Sequence, residues 1–385
     1  MATRKGPKGV VLAVVGLTLV GGLVGGYLVV MRGAVHAYYR AEYQAEPLPA
    51  PAAGALPEAI RLTDVPWYAE RIDVEASLGL RMLAAQQGRE VSRKTADFLS
   101  GATWGARPIP RRSGFWPGQD VEVGLRRAAP YLGFTRRLFT TDSADAYVRA
   151  LKAALAGGRA VRVALDRAML LERRGVSPHG IVLVGYDAER FEYYEPWCDD
   201  DTRCAPGDRP AGQAGLEVPT ARLLLAVESL SLAMQYPWAY QLTVLEPAPA
   251  PRPSAAELLP VNGLALIGRR GAGPSVGSCA VDDAASALER HGGDVATPEF
   301  TAGVALAAAV RRDDAEALSE LFPGRGGLVK AAEALDDAAR QYAAAREALM
   351  EKAPEAAASA LREAAKADLA AGRALLEIAD AGTVP

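Results

Sequence analysis

Histidine is the side chain best suited to acid–base chemistry near neutral pH, and this chain of 385 residues has three. His36 follows a long apolar stretch, and His291 lies among charged residues and glycines that predict a solvated helix end. His179 directly precedes an unbroken apolar run, Gly180–Tyr186, which predicts a buried strand. A rigid strand can hold a base in place, so His179 is the candidate catalytic residue, although a lone histidine is more often structural.

Short segments on both sides of His179 carry helix and strand patterns, and these elements must position its ring. Asp73 opens a segment with apolar residues at helical spacing, and Val161–Leu165 alternates as a strand. Phe191–Tyr194 completes a predicted hairpin with the strand that follows His179. In chain order, the segments with recognisable strings are Val65–Glu70, Asp73–Leu78, Gly158–Asp166, His179–Asp187 and Tyr194–Trp197.

This order of strings resembles the papain-like cysteine peptidases that process bacteriocins with double-glycine leaders. It also resembles the related N-terminal domain of a butirosin-biosynthesis acyltransferase. The resemblance covers residues 65–197, and its most specific parts are the string from His179 to Asp187 and the Pro196–Trp197 pair. It implies an α+β, papain-like domain in this part of the chain.

The resemblance also assigns roles to single residues. In that family a cysteine is the nucleophile, a histidine accepts its proton, an aspartate orients the histidine and a glutamine donates to the oxyanion. The histidine position holds His179, and the position of the orienting acid holds Glu195. The glutamine position holds Glu70, and the cysteine position holds Asp73, or Val74 if the alignment slips by one residue.

The thiol chemistry of the family is not expected here, because no cysteine occurs before Cys198. A carboxylate at Asp73 is a poor nucleophile toward an amide, and a negative Glu70 beside a forming oxyanion would raise the barrier. The leading hypothesis is therefore a membrane-tethered, non-catalytic peptidase-like protein. It would bind a peptide or protein partner in its cleft and need no cofactor.

Two other functions stay open. An active hydrolase or acyltransferase would use His179 with the acidic residues Asp73, Glu70 and Glu195 as general acid and base, or as a metal site. A structural cell-envelope protein would act through its C-terminal helices. An enzyme or a binding protein needs an accessible cleft at His179, whereas a structural protein would leave that cleft filled.

The N-terminal stretch Gly9–Met31 contains 23 uncharged and almost wholly apolar residues. About 20 such residues suffice to cross a bilayer as a helix. Arg4, Lys5 and Lys8 precede the stretch, which favours a cytoplasmic tail at residues 1–8 and a body outside the cytoplasm. The predicted protein is thus single-pass, with a cleaved signal peptide as the main alternative.

Proline-rich and alanine-rich segments divide the remainder of the chain into predicted domains. Residues 45–57 predict a linker, residues 61–246 the papain-like domain, and residues 255–385 a mostly α-helical domain. In the last of these, four apolar residues recur every seven positions and predict one packed helix face; they are Leu328, Leu335, Tyr342 and Leu349.

Charge and cysteine content narrow the class of protein further. The net charge of −3 gives no strong attraction to nucleic acid, so no nucleic-acid partner is predicted. Cys198 and Cys204 lie in one acidic loop and would form a loop-closing disulfide in an oxidising compartment. Cys279 is left single and is interpreted as a buried free thiol.

Overall fold

The structure is a computed structural model that describes residues 32–49, 54–70, 75–108, 115–118, 120–197, 207–209, 211–249, 252–270 and 275–380. These residues form an α+β protein with one mixed eight-stranded sheet, two two-stranded sheets (β3 with β10, and β4 with β5) and many helices. The strands are β1 Ala45–Pro47, β2 Ile60–Arg61, β3 Trp67–Ala69, β4 Arg107–Pro108, β5 Phe115–Trp116, β6 Phe134–Thr141, β7 Val161–Asp166, β8 Pro178–Tyr186, β9 Arg190–Tyr194, β10 Gly207–Arg209, β11 Leu216–Pro219 and β12 Tyr240–Pro247.

The helices begin with α1 at residues 32–43. Those that follow are α2 Glu75–Gln86, α3 Arg93–Ser100, α4 Val121–Leu132, α5 Ala144–Ala156, α6 Arg167–Leu170, α7 Thr220–Met234, α8 Leu259–Ile267, α9 Ser278–His291, α10 Pro298–Leu321, α11 Val329–Met350 and α12 Pro354–Asp380.

The main sheet has eight strands, in the order β1-β6-β12-β7-β8-β9-β11, with β2 also paired to β8. The β1–β6 pair is parallel, and the other pairs are antiparallel. Helices cover both faces of its centre: Arg162 of β7 reaches residues of α2 and α4, while Tyr240 of β12 stacks on Tyr147 of α5. A strand covered on both faces is apolar throughout, which explains the unbroken apolar run in β8.

The C-terminal helices share a hydrophobic core with the sheet. The main cluster of buried residues includes Val163 of β7 together with Leu318 of α10 and Leu375 of α12. The four residues of the predicted heptad seam, Leu328, Leu335, Tyr342 and Leu349, are all buried. The heptad spacing therefore predicted correctly which residues of this region pack inward.

A fully buried arginine connects these helices to the loop that follows α3. Arg311 on α10 donates to Asp368 Oδ1 on α12 at 2.7 Å and to the backbone oxygen of Gly105 at 2.6 Å, and it pairs with Asp314 at 3.2 Å. Tyr342 on α11 donates to the other oxygen of Asp368 at 2.9 Å. Burial raises the pKa of Asp314 to about 8, although Arg311 acts in the opposite direction.

The predicted fold class placed a single transmembrane helix before the α+β domain, and this is wrong for the part of the chain that the structure describes. No helix among those residues is long and apolar enough to span a membrane. Helix α1 carries Arg32, Arg40 and Glu42 and packs against the sheet through Tyr39 and Tyr43. The predicted span Gly9–Met31 and the predicted tail at residues 1–8 lie outside the described residues.

The predicted linker at residues 45–57 begins as part of the main sheet. Ala45–Pro47 forms β1, and the backbone N–H of Leu48 donates to Thr140 of β6 at 3.0 Å. Proline is tolerated at this place because β1 is an edge strand that needs hydrogen bonds on one side only. Residues 50–53 of the predicted linker lie outside the described residues.

Candidate functional site

Two of the four predicted site residues meet directly. His179 is the second residue of β8, and Glu195 follows the last residue of β9, the antiparallel neighbour of β8. Because the two strands form a hairpin, the start of β8 lies beside the end of β9. Nε2 of His179 contacts Oε1 of Glu195, and both side chains are buried.

The surroundings of Glu195 fix its carboxylate in place. Its Oε1 also accepts from the backbone N–H of Trp197 at 3.1 Å, and Oε2 lies 3.5 Å from Nε of Arg167. Arg167 stands directly after β7 and stacks over the Trp197 ring, with Cζ 4.3 Å from the ring centre. Trp67 donates from its indole to the backbone oxygen of Glu195 at 2.9 Å.

This arrangement has a definite chemical capacity. A carboxylate on Nε2 orients the imidazole of His179, so any exchange of a proton with a nucleophile would take place at Nδ1. The pair is covered, however, because His179 is only 4% exposed and Glu195 is 0% exposed. The arrangement is thus that of a base with its orienting acid, shut away from solvent.

The side chain of Glu70 is engaged in a different interaction from the one predicted. Its backbone N–H donates to Pro196 at 3.0 Å, which places Glu70 beside the segment that carries Glu195. Its carboxylate pairs with Nε of Arg93 at 2.9 Å, and Arg93 also pairs with Asp97 and with Asp313 of α10. Glu70 therefore takes part in an ion-pair network between α3 and α10.

Asp73 and Val74 lie outside the described residues, as do Cys198 and Cys204, so the predicted disulfide does too. The described part of α2 begins at Glu75. Cys279 is a free, half-buried cysteine in the first turn of α9.

A buried ion-pair cluster at the start of α2 had no counterpart in the sequence predictions. Glu75 accepts from Nε of Arg162 at 2.8 Å, Arg162 also donates to Glu122 of α4, and Glu122 pairs with Arg136 at 3.0 Å. Burial alone would raise the pKa of Glu122, but the two arginines hold it below its ordinary value. The feature of the sequence that indicated this cluster was Arg162, a lone arginine inside the apolar β7 strand.

The ion-pair cluster of Glu75, Arg162 and Glu122 packs against β8, the strand that carries His179. A Cβ atom at Gly180 would lie 2.0 Å from Oε1 of Glu75 and 2.6 Å from Nη2 of Arg162. A side chain directly after His179 would therefore displace the Glu75–Arg162 ion pair, which passes against the β8 backbone at this point.

Two cavities of the described residues lie apart from the histidine–glutamate pair. The larger cavity described, of about 790 Å³, is lined by residues of α5, β6 and β12, and a smaller one of about 320 Å³ by residues of β2, β8 and β9. Neither is lined by His179 or Glu195. Among the residues that the structure describes, no three His, Cys, Asp or Glu side chains are grouped to hold a metal ion.

The site therefore consists of the buried pair His179–Glu195 and, beside it, the carboxylate of Glu70, which pairs with Arg93. No protein-family model matches this sequence, and no curated protein matches it significantly either.

Proposed function

We propose that this chain is a non-catalytic relative of the papain-like cysteine peptidases that binds a peptide or protein partner instead of cleaving one. The contact between His179 and Glu195 is the observation that carries the proposal. It has the base and the orienting acid in hydrogen-bonding contact, as cysteine peptidases require.

The sequence up to Trp197, and the described residues around this pair, supply no cysteine that could attack a peptide bond. Imidazole activates a cysteine by accepting its proton, and the sequence has no cysteine before Cys198. Glu70 is an acceptor where an oxyanion needs donors, and its carboxylate is bound to Arg93. A base without a nucleophile or an oxyanion donor favours binding over hydrolysis.

The buried pair fills the cleft at His179 that a binding protein was expected to leave accessible, so a partner would have to bind on the surface beside the pair. The Trp197 ring lies beside His179, with the two ring centres 6.2 Å apart, and Arg167 stacks over the Trp197 ring. Trp197 and Glu70 are themselves half-buried and reach the surface beside the pair. We place the partner on this surface, where an aromatic ring and a carboxylate provide apolar contact and charge without access to the imidazole.

One experiment separates the three functions considered. The full chain and a His179→Gln variant, which keeps a donor for Glu195, are incubated with an immobilised array of random peptides. Bound protein and released peptide ends are both recorded. We expect a subset of peptides to retain the wild-type chain without cleavage, and the same subset to retain the variant.

The other outcomes identify the alternatives. Peptide cleavage that disappears in His179→Gln would contradict the proposal and indicate an active hydrolase. Neither cleavage nor retention would contradict partner binding and favour a structural role. Circular dichroism of both proteins checks that the substitution leaves the fold intact.

A further inference from the structure

Two carboxyl groups are buried where α3 meets α10. Asp97 of α3 and Asp314 of α10 are each 1% exposed. Each has one oxygen on an arginine: Oδ2 of Asp97 lies 3.0 Å from Nη1 of Arg93, and Oδ2 of Asp314 lies 3.2 Å from Nη1 of Arg311. Asp97 is also close enough to Asp314 for its charge to raise the pKa of that residue.

Carboxyl groups outnumber arginines around these two aspartates. Arg93 also pairs with Glu70 and Asp313, and Arg311 also pairs with Asp368. With every carboxyl ionised, five negative charges would share two positive ones in a largely buried place. Like charges in such a cluster disfavour one another's ionised forms, so the cluster retains a proton at a pH where an isolated carboxyl has lost it.

The second oxygen of each aspartate has a partner that suits a protonated acid. Oδ1 of Asp97 contacts the hydroxyl of Ser77 on α2. Oδ1 of Asp314 lies 2.5 Å from the hydroxyl of Thr103. A hydroxyl can donate to a carboxylate or accept from a carboxylic acid. Both aspartates can therefore bind or release a proton without losing a hydrogen bond, while the arginine stays on the other oxygen.

Other charged side chains on the helices around Asp97 are engaged elsewhere. Arg81 of α2 donates to the backbone oxygen of Val91 at 2.9 Å. Arg127 of α4 donates to the backbone oxygen of Leu99 at 3.3 Å. Lys94 of α3 pairs with two glutamates of α10 nearer the surface. Within the part of the chain that the structure describes, no second cation pairs with either buried aspartate.

The direction of the pH dependence follows from these contacts. Burial raises the pKa of Asp97 to about 7 and that of Asp314 to about 8, although the paired arginine acts in the opposite direction on each. An unfolded chain gives an aspartate its ordinary pKa of about 3.9, so a proton held by the folded cluster is released on opening. The contact is therefore strongest in weakly acidic solution and weakens as the pH rises toward about 8.

We propose that Asp97 and Asp314 form a pH-sensitive latch, which holds α10 on α3 while it carries a proton and loosens when the proton is lost. The latch connects the C-terminal helices to the candidate site, because Arg93 also holds the carboxylate of Glu70, whose backbone N–H donates to Pro196. It rests on this cluster and not on the proposed binding of a partner.

The first test compares urea unfolding of the full chain and of Asp97→Asn between pH 5.5 and pH 8. Asparagine resembles the protonated acid and cannot ionise, so it removes the titration with little change of shape. We expect the unfolding constant of the wild type, relative to that of the variant, to rise at least about tenfold over this range. Asp314→Asn, on the other helix, is an independent second variant with the same expected result. Asp337→Asn, which changes an exposed aspartate of α11, is the control and is expected to give a ratio that does not change with pH.

A second measurement separates a latch from a general loss of stability. Amide hydrogen exchange, corrected for its intrinsic pH dependence, is followed by mass spectrometry at pH 6 and pH 8. We expect the amides of α3 and α10 to lose protection at pH 8 by a larger factor than those of β8, because they lie at the contact that loosens. We expect Asp97→Asn to remove this difference.

Two results would overturn the proposal. If the unfolding constants of the wild type and of both asparagine variants keep fixed ratios at every pH, the two aspartates are already ionised and no proton is released. If α10 and β8 lose protection equally, the protons stabilise the fold as a whole and do not control this contact.

Discussion

Replacing Arg311 with methionine is expected to lower the free energy of unfolding by about 3–5 kcal/mol, the usual cost of removing one partner from a buried ion pair. The side chain of Arg311 is 0% exposed, and Asp368 beside it is 1% exposed. Methionine fills a similar volume but leaves the Asp368 carboxylate buried with only the Tyr342 hydroxyl as a donor. It also leaves the backbone oxygens of Thr103 and Gly105 without their donor.

The measurement is urea unfolding at pH 7, followed by circular dichroism, with Arg312→Met as the control. Arg312 is the next residue on α10 and is exposed, so its replacement is expected to change stability by no more than about 0.5 kcal/mol. Equal stabilities of the two variants would contradict a structural role for the buried arginine. They would show that α10 and α12 pack by apolar contact alone.

A loss of about 3–5 kcal/mol is likewise expected for Arg162→Met, which removes the cation between two buried carboxylates. Side-chain exposure is 2% for Arg162, 8% for Glu75 and 4% for Glu122. Burial tends to lower the pKa of Arg162, but the two carboxylates hold it above its ordinary value, so this residue is charged in the folded protein. Glu122 keeps Arg136 as a partner, whereas Glu75 would lose its cation.

A double variant shows whether the buried charge is the cause. Glu75→Met added to Arg162→Met removes the stranded carboxylate and is expected to recover part of the lost stability, since replacing both partners by apolar groups costs less than removing one. Arg190→Met is the surface control, because the Arg190–Glu217 pair is exposed and exposed ion pairs contribute little to stability. A double variant less stable than Arg162→Met would contradict this explanation.

The regular elements of this protein were the most predictable part of its fold. The unbroken run after Gly180 became β8, and the predicted hairpin formed with β9. The heptad spacing of Leu328, Leu335 and Tyr342 correctly identified a buried helix face. These patterns are local, so residues close in the sequence are sufficient to predict them.

The buried charges were not predictable, because their partners are distant in the chain. Arg311 and Asp368 are 57 residues apart, and Arg162 and Glu75 are 87 apart. An arginine within an apolar strand shows that some partner must exist, but no periodicity identifies which carboxylate it is. The same limit explains the error about β1: the segment from Ala45 has the composition of a linker, and its pairing with β6 depends on residues about 93 positions later.

In the candidate site, too, the sequence predicted local positions but not the distant partners of the side chains. The resemblance led to His179 and Glu195, and the structure brings these two side chains into contact. Sequence position also placed Glu70 beside them, but the direction of its side chain depends on Arg93, whose importance no motif indicated. The position of a residue in the motif thus predicted where its backbone lies better than it predicted which residues its side chain contacts.

If the histidine–glutamate pair is a cysteine-peptidase base that has lost its nucleophile, a cysteine restored at the nucleophile position should be activated by His179. The full chain is prepared with its three native cysteines replaced by serine and with either Asp73→Cys or Val74→Cys. The measurement is the rate of alkylation by iodoacetamide at pH 6, where an ordinary thiol with a pKa of about 8.5 is almost wholly protonated.

We expect Asp73→Cys to react at least about tenfold faster than Val74→Cys, because His179 would accept the thiol proton, and we expect His179→Gln to abolish the difference. A faster reaction at position 74 would move the nucleophile position by one residue. Equal, slow alkylation at both positions, or a fast reaction that persists in His179→Gln, would contradict the proposed relationship to the papain-like peptidases.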